Sequence, residues 1–127
     1  YNGGRLGCTA CGRKYRGRMM TDQLNIENQG TGAEVAKLAL HYMYPDLKAN
    51  DCYLQNFIHD NYIIDAPNDE TVYSKVAVRI AEAMQEAWHE VTQSLLVKDL
   101  PMPVKVLGGY HWGDIEAGSY TFHHEVQ

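Results

Sequence analysis

At 127 residues the chain is sized for one domain, and 45% hydrophobic content is enough for a packed core. No apolar run approaches the ~18 residues of a membrane span, and residues 1–6 lack the apolar stretch of a secretory signal. Net charge is −5, but its distribution is uneven. Arg5, Arg13, Lys14, Arg16 and Arg18 give the first 18 residues +5 with no acid among them, whereas the other 6 basic and all 16 acidic residues give −10. The pattern is a basic arm able to meet phosphates, attached to an acidic body. Cys8, Cys11 and Cys52 make an odd count and a poor disulfide framework, which favours a reducing, cytoplasmic setting. The chain does not begin with Met, as expected of a piece of a longer protein.

Residues 1–18 are Gly-rich and basic without a sustained period, and read as a loop or twisted hairpin turning at Gly3-Gly4, Gly7 and Gly12. From Asn28 the spacing is helical. Ala33, Ala36, Leu40 and Met43 repeat on one side and Val35, Leu38, Ala39 and Tyr42 on the other, so the helix is expected to be largely buried, with Pro45 ending it. Two short runs, Tyr53 to Ile58 and Tyr62 to Ala66, flank the polar tip His59-Asp60-Asn61 and predict a hairpin. Asp69 offers the N-cap of a second helix. Its apolar stripe is Val72, Val76, Ile80, Ala83, Ala87, Val91 and Leu95, expected to lie across one face of a sheet, with Glu82, Glu86 and Glu90 elsewhere. Pro101 and Pro103 introduce a third strand, Val104 to Leu107, while the tail from Tyr110 to Gln127 shows no period. The fold class is α+β, with an antiparallel sheet.

The hairpin tip carries the chemistry. Apolar strands bring a His-Asp pair into a tight turn where both side chains are displayed. Phosphoryl-transfer enzymes use carboxylates fixed on strands to hold two metal ions about 3.5–4 Å apart. An Asp in a turn also serves the backbone's own hydrogen bonds, so the pair alone does not decide the chemistry.

Its neighbours add to it. Gly12-Arg13-Lys14, Asn25 to Ala33 with its Gln29-Gly30-Thr31, Ile58-His59-Asp60, and Gly108-Gly109-Tyr110-His111-Trp112 occur in this order. Together they resemble the C-terminal palm of family A DNA polymerases, with a bacteriophage-like flavour, over about residues 11–116. The resemblance implies an antiparallel palm sheet with the Ile58-His59-Asp60 hairpin (motif C) at its centre and two helices packed behind it. Residues 1–24 would be the basic segment that follows the fingers, and residues 25–127 the C-terminal palm subdomain. Asp60 would be a catalytic metal ligand and His59 would lie against the primer terminus. Asn25 and Gln29 would face the minor groove, and Arg13 and Lys14 would meet duplex phosphates.

The implied activity is template-directed addition of dNTPs to primer-template DNA, with Mg²⁺ as cofactor, in the cytoplasm of a bacterium or infected host cell. The departures are as informative. Asn61 stands where the family often has Glu, and Thr21-Asp22-Gln23 where relatives tend to have Arg or His. About ten residues run past the family's usual end. The first catalytic Asp and the fingers have no counterpart here, so the second carboxylate and the nucleotide grip would come from the remaining polymerase chain or a partner subunit. The alternatives are a phage-type single-subunit RNA polymerase palm and an inert DNA-binding subunit. A zinc module built on Cys8, Cys11, His123 and His124 is a further reading.

Overall fold

The computed structural model describes residues 5–17, 19–93 and 100–127. In chain order the elements are β1 (Arg5–Cys8), β2 (Lys14–Gly17), α1 (Met20–Ala49), β3 (Tyr53–Ile58), β4 (Asn61–Asp65), α2 (Glu70–Thr92), β5 (Val104–Gly108), α3 (Trp112–Glu116) and β6 (Phe122–Val126). The α+β class holds, and so do both hairpins and the second helix with its Asp69 cap, which accepts from the Thr71 amide at 3.0 Å. Arg18 and Leu95 lie outside the described residues.

Helix α1 is longer at both ends than its periodicity predicts. It starts at Met20, where Asp22 in the first turn accepts from the Met19 amide at 3.3 Å and sets its charge against the helix dipole. The line expected between residues 24 and 25 falls inside this helix. At the other end α1 runs through Pro45 to Ala49. The proline removes one intrahelical hydrogen bond, but the turn beyond it is held from outside. Leu47 is buried, and Asp46 accepts from Arg79 Nε of α2 at 3.2 Å. Tertiary contacts override the local break.

The core is the seam between the two long helices. Val35, Ala39, Met43 and Leu47, each four residues apart on α1, meet Val76, Ile80, Ala83, Ala87 and Val91 of α2, with Cys52 closing one end. Met43 has no exposed surface, and truncating such a side chain typically costs about 2–5 kcal/mol. The alanines on α2 leave room for close helix approach. Ala33, Ala36, Leu38, Leu40 and Tyr42 are only half-buried and Leu24 and Tyr44 are exposed, so the burial of α1 is one stripe and not the whole circumference.

The expected single palm sheet is not formed. Among the described residues the strands make three separate two-stranded antiparallel sheets, β1-β2, β3-β4 and β5-β6. Helix α2 correspondingly packs chiefly on α1 instead of across a broad sheet. Each strand pairs with its nearest neighbour along the chain, and the helix seam takes the apolar surface that a larger sheet would cover. β6 was not visible in the sequence. Its inward face is Phe122, His124 and Val126, so a polar residue interrupts the apolar alternation. It pairs with β5 from Val104↔Val126 to Gly108↔Phe122 and leans on α2 through an edge-on Tyr73–Phe122 contact at 5.2 Å. Gln85 and Trp88 of α2 donate to the Met102 and Leu100 carbonyls at 3.1 and 2.8 Å, fixing the approach to β5. Among the described residues no helix is long and apolar enough to cross a membrane.

Candidate functional site

Two features of the surface carry the expected site residues. The first is the tip of the β3-β4 hairpin. Ile58 pairs with Asn61, leaving His59 and Asp60 as a two-residue loop, and His59 takes a positive φ of 57°. Short hairpin loops need such left-handed geometry, which histidine tolerates better than branched residues do. Both side chains are exposed. A bulge between Leu54 and Asn56 breaks the register of β3 and re-aims the strand toward its tip.

The hairpin is tied down next to its tip. Tyr62 stacks obliquely on Phe57 with ring centroids 4.9 Å apart, and its hydroxyl donates to the Ala36 carbonyl of α1. Burial pushes the Tyr62 hydroxyl up to about 12, so it stays a neutral donor. Ala36 lies seven residues beyond Gln29, about 10 Å along the helix axis.

The second feature is an open cleft of about 350 Å³ between β2 and the N-terminal half of α1, lined by Thr9, Arg13, Lys14, Tyr15, Ile26, Gln29 and Gly30. Three expected DNA contacts, Arg13, Lys14 and Gln29, therefore come together. Asn25 stands one helical turn before Gln29 on the same face, and both are exposed. Asp60 and His59 are outside this cleft, on the hairpin anchored farther along α1.

The turn that builds the cleft, expected at Gly12, is held from α1 by residues to which sequence reasoning gave no role. Gly12 closes it with φ +85° and its amide on the Thr9 carbonyl at 2.9 Å. Glu34 of α1 accepts from the Thr9 hydroxyl and from the Cys11 amide at 3.2 Å. Desolvation raises the Glu34 carboxyl, but the bonds from Thr9 and Cys11 and the charge of Arg13 outweigh it, and the net shift is down. Desolvation, then the bond to Glu34 and its charge, push the Cys11 thiol up. The signal available in the sequence was the position of Glu34 at the end of the Gln29-to-Glu34 segment, five residues after the glutamine.

Among the described residues no group of three or more His, Cys, Asp or Glu side chains comes together. The Cys8, Cys11, His123 and His124 set is thus not assembled. Asp60 offers a single ligand, so the described residues do not by themselves fit a two-metal centre.

Over 108 residues, 84% of the chain, the sequence is 25% identical to DNA polymerase I of Aquifex aeolicus. Over 88 residues, 69% of the chain, it is 28% identical to the thermostable DNA polymerase I of Thermus filiformis. The chain spans only 18% of the first relative and 9% of the second. No family model matches, and no solved structure matches. The chain is distantly similar to bacterial DNA polymerase I over part of its length.

Proposed function

We propose that this chain is the C-terminal palm portion of a DNA-directed DNA polymerase, completed by a longer remainder or a partner subunit. One observation carries the reading: a solvent-displayed His59-Asp60 tip and a basic cleft are both anchored on a single helix, in a chain whose relatives are DNA polymerases. Arg13 and Lys14 would hold duplex phosphates, fixing register without reading sequence. Gln29 and Asn25 would meet minor-groove acceptors common to all base pairs, so they test pair shape. His59 would rest against the sugar-phosphate of the primer terminus and hold its 3′ end toward the dNTP. Asp60, joined by a carboxylate from elsewhere, would bind Mg²⁺, which supplies charge neutralisation at the reacting phosphate.

Two facts support a missing remainder. The chain spans a small fraction of its relatives. In addition, among the described residues β3 has a strand partner on one side only, leaving an edge open to a further strand, and it exposes Tyr53 (59%) and Phe57 (41%). The lone carboxylate, with Asn61 beside it, favours an inert DNA-binding subunit as the second reading.

Capture of the tagged chain from its source, followed by primer extension with dNTPs or rNTPs, separates these readings. Extension with dNTPs, in material containing a protein that carries fingers and a second catalytic Asp, is expected. Extension with rNTPs alone would mean an RNA polymerase. DNA binding without extension in any assembly would mean an inert subunit.

A further inference from the structure

The Thr9 hydroxyl makes two hydrogen bonds that run in series. It donates to Glu34 Oε1 and accepts from the Arg13 amide at 3.1 Å, while the Thr9 amide donates to the Arg13 carbonyl at 3.0 Å. Both backbone groups of Arg13 are therefore held by Thr9. Because a hydroxyl has one proton, giving it to the carboxylate leaves the oxygen lone pairs aimed at the arginine amide. The second carboxylate oxygen takes the Cys11 amide, and Thr31 Oγ1 takes the Ala10 amide at 3.3 Å. Three successive residues of the turn are thus bound by one turn of α1. Steric fit reinforces the bonds. Thr9 is only 5% exposed, and a Cβ built on Gly30 would come within 2.8 Å of the Thr9 methyl, so glycine there lets the turn seat on the helix.

We infer that Glu34 is a positioning residue for DNA: through Thr9 it fixes Arg13 beside Gln29 so that the arginine meets a duplex phosphate. The inference rests on the polymerase reading, and its test keeps the two separable. The polymerase reading needs a basic cleft; this one needs Arg13 to depend on a carboxylate that touches no DNA. A clamp that only stabilised the fold would alter melting, without acting specifically through Arg13.

The experiment measures binding of the 127-residue chain to a labelled primer-template duplex as a function of salt. Loss of one phosphate contact lowers the slope of log affinity against log salt by about 1. Arg13→Ala is expected to show that loss, and Glu34→Gln to reproduce it. The double variant is expected to bind no more weakly than Arg13→Ala alone. Thr9→Val keeps the shape but removes the hydroxyl, and is expected to behave like Glu34→Gln; Thr9→Ser is expected to retain the parent slope. These two guard against a Glu34 variant that simply fails to fold. A full slope in Glu34→Gln and Thr9→Val, or additive losses in the double variant, would overturn the inference while leaving DNA binding intact. If the parent chain shows no salt-dependent duplex binding, this inference falls, while the polymerase reading is still decided by primer extension in the captured assembly.

Discussion

Glu34 gathers a hydroxyl, a backbone amide and a nearby guanidinium around one carboxylate, and its acidity follows from that company. The folded-state value lies below the ordinary 4.5. A carboxylate depressed on folding stabilises the fold at pH above its unfolded value, and that contribution disappears as pH falls through the lowered folded value. The seating of the turn is therefore expected to persist through the mildly acidic range and fail only below 4.5. The Cys11 amide resonance reports this directly, since its proton points at Glu34. An NMR titration of that resonance should have its midpoint below the ordinary carboxylate value; a midpoint at or above it would remove Glu34 as the acceptor. Tyr62 works in the opposite sense. Its raised value keeps it protonated throughout the physiological range, so the hairpin anchor at Ala36 is insensitive to pH there.

At the scale of elements, Pro45 shows how far packing can override local preference. It is solvent-exposed inside α1, one turn before the end, and the helix continues because Leu47 and Asp46 are engaged beyond it. Pro45→Ala restores a helical amide and removes the ring's clash. The gain is partly offset because the unfolded chain recovers freedom, leaving a net of about 2 kcal/mol. A thermal melt should therefore shift up by several degrees, and an unchanged or lowered midpoint would mean that the helix is already broken at this proline.

The same element marks where sequence legibility ended. Helical spacing in α1 was readable, but Val35 and Ala39 were read on one side and Met43 on the other, so the single core stripe that joins them was not. Nor were the ends of α1, because the start depends on Asp22 and the finish on contacts from α2. The His59-Asp60 tip was readable from two apolar runs around a polar pair. β6 was hidden because His124 occupies the centre of its inward face, with Nε2 buried and without a hydrogen-bond partner among the described residues. A one-sheet palm was inferred from resemblance, and the separate sheets follow from contacts along the chain that no motif encodes. Arg13, Lys14 and Gln29 were each legible as motif residues. The clamp that joins them was not, since Thr9 and Glu34 are 25 residues apart.

For the whole molecule, the charge asymmetry acquires a location. The described part of the basic arm forms the β1-β2 hairpin packed on α1, which places Arg13 and Lys14 at the cleft. The β3-β4 hairpin leaves Tyr53, Leu54 and Phe57 exposed, and among the described residues no three metal-ligating side chains come together. Both suit the proposed place of this chain in a longer polymerase, and the relatives it matches are several times its length. The claim that matters most is that Asp60 belongs to the reacting centre and not merely to a turn. The most direct measurement is primer extension by the captured assembly carrying Asp60→Asn, with duplex binding measured on the same preparation. Extension lost by at least about a thousandfold, roughly 4 kcal/mol of transition-state stabilisation, with binding within severalfold of the parent, is expected. Extension at the parent rate would contradict the account.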